Sequence, residues 1–153
     1  MTRSSVTLQA AVSLLMTACS RGPVSPSAVD TRNDACAHCR MAVSDASFAA
    51  QLAAPGEEPR FFDDVGCLRD YLAAAPRLPR GSVAFVADHR TLEWVRASRA
   101  HFTFRESLAT PMVSHLLAHA SPASRDGDPA AAGGMPRSAV ALFGPAGPPD
   151  GSP

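Results

Sequence analysis

Apolar and polar positions along the chain fall into short blocks whose spacing changes from two to about four residues and back. Phe48, Ala50 and Leu52 share one face of a strand that Pro55-Gly56 ends. Arg60-Phe61-Phe62 is a second short strand, close enough to the first to form a hairpin. Asp63 or Asp64 can then cap a helix that runs to about Ala75 and stops before Pro76. Val65, Leu68 and Leu72 fall on one face of that helix, with Cys67 and Tyr71 beside them at i, i+4. Val83 to Val86 predicts a third strand, turned at Asp88-His89-Arg90. Leu92 to Val95 reads as a strand or a helical turn, and His101 to Phe104 as a strand. Val113 to Ala118 follows Pro111 and predicts an extended start, with His115 and His119 in phase with Leu117 and facing solvent. Strand, strand, helix and several more strands give an α+β domain with a mainly antiparallel sheet.

The two ends read differently. Arg3 and the apolar run from Val6 to Met16 lead into Met16-Thr17-Ala18-Cys19, a lipobox-like sequence. Residues 1–18 are then a lipoprotein signal peptide and Cys19 the acylated N-terminus; an ordinary cleaved signal is the alternative. The run is too short to span a bilayer. Ser20 after Cys19 favours anchoring to the outer membrane over retention at the inner one. Residues 19–33 are Ser- and Pro-rich and read as a flexible tether. One domain of roughly 100 residues fits after it, assigned here to 34–120. Beyond Ser121 the chain turns to Ala, Gly, Pro, Ser and Asp. Met135 to Phe143 recovers apolar character as a candidate last strand within an extension over 121–143, and 144–153 reads as a disordered tail.

Fourteen basic residues balance fourteen acidic ones, so there is no electrostatic footprint for nucleic acid. All the basic residues are arginine, which reads as a compositional bias.

The chemistry concentrates in Cys36-Ala37-His38-Cys39-Arg40-Met41. Thiolate and thioether together are the soft donors that Cu(I) selects over harder ions. A further thioether, Met112, lies in Thr110-Pro111-Met112; brought to Cys39 and Met41 it would complete a sulfur-rich cuprous site. Met41 and Met112 also have a plain reading as core gap-fillers. With Cys19 acylated, Cys36, Cys39 and Cys67 remain, which is not a plain disulfide framework. Cys67 is most simply a buried small hydrophobe. Cys36 stays open between a third thiolate, a disulfide partner of Cys39 and a structural residue. His38 is either a solvated side chain or a transient ligand. A c-type haem motif needs histidine after the second cysteine, where this chain has Arg40, and a zinc ribbon needs a second cysteine pair. A Cys36–Cys39 redox pair and a metal-scavenging lipoprotein remain as rival readings. No nucleophile and base at workable spacing appear, so the expectation is a non-enzyme.

In Cys19, Asp34-Ala-Cys-Ala-His-Cys-Arg-Met41, Phe61-Phe-Asp-Asp-Val-Gly-Cys-Leu68, Asp88 through Glu93-Trp94 and Ala109-Thr-Pro-Met112, the chain resembles the NosL family of nitrous oxide reductase accessory lipoproteins. The resemblance covers roughly Asp34 to Ala118. It implies ββα-type units and cuprous ligands at Cys39, Met41 and Met112. It further implies a periplasmic, membrane-anchored Cu(I) chaperone that serves nitrous oxide reductase maturation through a membrane transporter complex. The chain departs from the family at Arg40, where a small or polar residue such as Gly or Asn is usual, and at Val113, where glycine is frequent.

Overall fold

The computed structural model describes residues 22–74 and 77–151. The expected signal peptide and acylated Cys19 lie outside the described residues. The fold is α+β, with two antiparallel sheets and three α-helices among the described residues. The first sheet has the order β2-β1-β3-β4, built from β1 (Ala50–Ala53), β2 (Arg60–Phe62), β3 (Val83–Ala87) and β4 (Trp94–Arg96). The second has the order β6-β5-β7, from β5 (His101–Phe104), β6 (Leu116–His119) and β7 (Met135–Arg137). The helices are α1 (Val65–Ala74), α2 (Pro122–Asp126) and α3 (Ala139–Phe143).

β1 and β2 form the expected hairpin, with Ala50 opposite Phe62 and Leu52 opposite Arg60. Because side chains alternate along a strand, one face of this sheet carries Ala50, Leu52, Phe62, Ala84 and Val86. These join Val65, Leu68, Phe102, Leu116 and Ala118 in the main core. Helix α1 packs against β1 and β2 of the first sheet and β6 of the second, so one helix closes both. Its N-cap is Asp64, whose Oδ1 accepts the N–H of Cys67 at 2.9 Å.

The opposite face of the first sheet is covered too. Residues 22–33, expected as part of a flexible tether, lie against it. Val24 packs on Ala53, Val83 and Phe85, and Val29 on Val43, Ala49 and Phe61. Gln51, fully buried in the middle of β1, exchanges two 2.9 Å hydrogen bonds with the backbone of Ser27. A polar side chain at the centre of a buried strand needs such a partner, and the N-terminal segment supplies it.

The C-terminal region also departs from its compositional reading. β4 pairs with β3 only from Phe85 to Ala87, which leaves the start of β3 open on that side. Residues 149–151 fill the gap. Ala84 N–H donates to Pro149 O, Gly151 N–H donates to Ser82 O, and Val83 bridges Asp150. The expected disordered tail is therefore docked over residues 144–151. Within Met135 to Phe143 only the first three residues are strand. Ser138 caps α3 through Ala141 N–H, and Leu142 and Phe143 turn inward, Phe143 edge-on to Phe102 at 5.8 Å.

The approach to β6 differs in the same way. Val113 and His115 have φ of 57° and 59°, so the chain is extended only from Leu116. His115 Nδ1–H donates to Leu108 O at 2.7 Å and the ring is half-buried, while His119 is fully buried. Neither faces open solvent as expected: His115 is held by Leu108 O and the Phe104 ring, and the segment from Ser121 to Ala131 folds over His119 at the end of β6.

Asp88 fastens this covering segment. Its Oδ1 accepts the N–H groups of Arg90 and Thr91 and the hydroxyl of Ser124, and its Oδ2 accepts Ala120 N–H at 2.7 Å. Burial pushes this carboxyl up, but the hydrogen bonds from Ala120, Ser124, Thr91 and Arg90 outweigh it and bring it down to about 2. Asp88→Asn replaces one acceptor with an amide that faces N–H donors in a site closed to water. We expect it to cost about 2–4 kcal/mol of stability, measured by urea denaturation. A loss below about 0.5 kcal/mol, the size of an ordinary surface substitution, would show that Asp88 does not hold the segment.

Candidate metal centre

The thiols meet through two local devices and one long-range contact. The first device is a tight reversal at residues 36–41. Cys36 N–H donates to Met41 O at 2.7 Å, Arg40 N–H returns to Cys36 O at 3.0 Å, and Ala35 bridges Ala42. Arg40 closes the reversal with φ of 68°, in the left-handed region that favours glycine or asparagine. The second device is the capped first turn of α1, which fixes Cys67 three residues after Asp64. Ala37 N–H then donates to Phe61 O at 2.8 Å and ties the reversal to β2, directly before the helix. As a result the Sγ atoms of Cys36, Cys39 and Cys67 lie within 4.8 Å of one another, a group that could hold a metal ion. All three are free thiols.

Cys36 and Cys67 are buried, and Cys39 is half-buried. Their acidities differ for identifiable reasons. Burial pushes Cys36 up, but N–H groups of Cys39, Asp63 and His38 point at its sulfur and bring the net shift below the ordinary thiol value. Cys39 is raised, first by burial and then by its neighbour Cys36. Burial pushes Cys67 strongly up, and the nearby Cys36 adds to it. Backbone N–H groups thus favour the thiolate form of Cys36 over that of its two neighbours. Any of the three that is protonated must release its proton when a metal binds.

Cys67 belongs to this group, whereas the sequence reading made it a buried hydrophobe. Its i, i+4 neighbours define a helix face but carry no information on which loop lies across from that face. Of the two aspartates read as caps, Asp64 caps the helix. Asp63 instead accepts both Ser44 N–H and Ser44 Oγ–H, which anchors the segment that follows the reversal.

The Met112 backbone is tied to the start of α1 by another route. Asp64 Oδ2 accepts Met112 N–H and the Thr110 hydroxyl, both at 3.2 Å, while Oδ1 holds Cys67 N–H. One carboxylate therefore joins the start of α1 to the Thr110-Pro111-Met112 loop. Gly66 allows the close approach: a Cβ there would stand 2.5 Å from Ser114 Cβ. Met112 is 36% exposed, Met41 is 57% exposed, and His38 is exposed. The cysteine sulfurs are thus gathered inside, and the sequence-predicted methionines stand at the surface on the segments that frame them.

No protein-family model, curated protein or solved structure matches this chain.

Alanine is a better helix former than glycine by about 1 kcal/mol, so propensity alone makes Gly66→Ala stabilising. The contact with Ser114 reverses the sign, since overpacking of this kind costs about 1–3 kcal/mol. We expect Gly66→Ala to lower the melting temperature and Gly66→Ala/Ser114→Gly to recover much of the loss. A stabilised single variant would mean that the Met112 loop does not rest on α1.

The left-handed residue after Met112 gives a second test. Val113 is 69% exposed with φ of 57°, so its side chain contributes little packing while its β-branch is strained. Relief of about 1–2 kcal/mol of left-handed strain should exceed the glycine entropy penalty of about 0.5–1 kcal/mol. Val113→Gly is expected to raise the melting temperature by a few degrees, read by circular dichroism; a fall would place the strain elsewhere.

Proposed function

We propose that this chain is a Cu(I) carrier of the NosL type, periplasmic and lipid-anchored through Cys19, that supplies copper for maturation of nitrous oxide reductase. The observation that carries this reading is the three-thiol group framed by two thioether-bearing segments, one of them tied to Cys67 through Asp64. Cys39 is common to that group and to the expected set Cys39, Met41 and Met112. An all-sulfur donor set disfavours calcium and magnesium, and the thioethers within it favour Cu(I) over zinc, which thiolates alone would also hold. In this reading Cys36 and Cys67 hold the ion from inside. Met41 and Met112 close it from the surface, and the exposed His38 assists entry or exit.

The departures from the family support the same reading. Arg40, which stands where a small or polar residue such as Gly or Asn is usual, and Val113, where glycine is frequent, both have left-handed backbone. The chain therefore keeps, around each methionine, a backbone shape that glycine would adopt without strain.

The arrangement of the thiols argues against the oxidoreductase rival. Disulfide exchange starts from an accessible thiolate. Here the sulfur held down, Cys36, is the buried one, and the more accessible Cys39 is held up. A carrier needs the opposite of turnover: a ligand set shielded on one side and exchangeable on the other. Neutral thioethers at the rim leave without protonation, which allows a recipient's ligands to replace them stepwise. A lipid anchor would raise the effective concentration of the carrier at a membrane transporter without further contacts.

Anaerobic titration of the reduced protein against a chromophoric Cu(I) competitor should give one Cu(I) per chain, and X-ray absorption should count sulfur as the dominant neighbour. Cys39→Ser should abolish tight binding. Met41→Leu and Met112→Leu keep volume and should each weaken it about 10-fold, the lower range for disturbing a metal site. In cells, a Cys39→Ser protein should leave nitrous oxide reductase exported but poor in copper. Preference for Zn(II) in direct competition, or full copper loading with Cys39→Ser, would defeat the proposal.

A further inference from the structure

Away from the thiols, two imidazoles and a carboxylate converge. His89 comes from the turn between β3 and β4, His119 ends β6, and Asp128 opens a 3₁₀ turn at Pro129–Ala131. Asp128 Oδ2 stands 2.6 Å from His89 Nδ1 and 2.9 Å from His119 Nε2. These three donor atoms all lie within 4.8 Å of one another. His119 is fully buried, Asp128 nearly so, and His89 partly exposed. We propose that His89, His119 and Asp128 form a second metal site, independent of the thiols, for a divalent transition-metal ion of the zinc class.

The donor set decides the class. Two imidazole nitrogens and one carboxylate oxygen suit Zn(II) and its neighbours and offer nothing soft to Cu(I). Three protein donors leave a fourth tetrahedral position for water or another ligand.

The ligands are held from behind. Asp128 Oδ1 accepts Ala130 N–H at 2.8 Å, which leaves Oδ2 to the two rings. His89 is fixed by its N–H to Ala118 O and by the Phe48 ring, with centroids 4.9 Å apart. A tetrahedral ion with bonds near 2.1 Å spaces its donors about 3.4 Å apart. Asp128 Oδ2 must then withdraw by less than about 1 Å from each ring, within reach of side-chain adjustment alone.

The protons also balance. Without an ion, the inward nitrogens of His89 and His119 each donate to Asp128. An ion takes the place of both protons, and each ring carries its proton on its other nitrogen instead. For His119 that nitrogen is Nδ1, buried without a hydrogen-bond partner. Moving the proton there gives up only the hydrogen bond to Asp128 that the ion replaces, and both tautomers leave the same atom unpaired.

Co(II), an optical substitute for Zn(II), separates the two centres, because only the thiol site gives thiolate-to-metal charge-transfer absorption. The reduced full-length chain should bind one Co(II) without that absorption. His89→Gln and Asp128→Asn, checked for folding by circular dichroism, should each weaken this binding about 100-fold or more. That exceeds the loss of 10–100-fold typical of an outer-shell partner. Binding with the charge-transfer band should not change in either variant. In the parent, nuclear magnetic resonance should show the ring protons of His89 and His119 paramagnetically shifted by Co(II). No Co(II) outside the thiols, unchanged binding in the variants, or shifts confined to other histidines would overturn the proposal and leave a hydrogen-bonded network only. The copper reading stands or falls separately, on the sulfur signal.

Discussion

The buried carboxylate of Asp64 is the constraint on which the rest of the first centre depends. It has no contact with water, and burying a charge without partners is expensive. Three donors compensate: Cys67 N–H, the Thr110 hydroxyl and Met112 N–H. The first of these makes Asp64 a helix cap, where its charge is further favoured by the dipole of α1. The other two come from a loop some 48 residues away in sequence. A local capping rule and a long-range loop contact are thus met by one side chain. The position of Met112 relative to Cys67 follows from electrostatic satisfaction more than from apolar packing.

The candidate donors of the two groups are sorted by softness. Sulfur collects where the 36–41 reversal meets the start of α1, and nitrogen and oxygen collect where the β3–β4 turn meets the end of β6. Asp88 links the second region to the sheets through four hydrogen bonds, one position before His89 in sequence. Each group of ligands is therefore adjacent to a fully buried aspartate that fixes the backbone without being one of the proposed ligands.

What could be read from the sequence was local and periodic. The β1–β2 hairpin, the extent of α1 and β5 followed from alternation and from Asp64 before an apolar stripe. Cys36 and Cys39 announced themselves by spacing. Cys67 did not, since its partners arrive from a reversal whose closure requires a left-handed arginine that no propensity favours. His119 was read as exposed because strand parity says which residues share a face, not what covers that face. Its cover, residues 121–131, is rich in Ala, Gly and Pro and carries almost no apolar pattern. The available signals there were polar caps: Ser121 before Pro122, Asp128 before Pro129 and Ser138 before α3. Composition marked the region as unable to form a core alone, which is correct, but it folds onto a core already formed.

The segment at 149–151 adds one more property. Where it pairs with the start of β3, it occupies N–H and C=O groups that β4 leaves bare. An unpaired strand edge is a template for another chain. Three residues of Pro-Asp-Gly, which make a poor strand by propensity, serve well as a blocking strip, since they end the sheet without offering a new edge of their own. In a protein whose three free thiols lie close together, a blocked strand edge removes one route by which neighbouring copies, and their thiols, could meet.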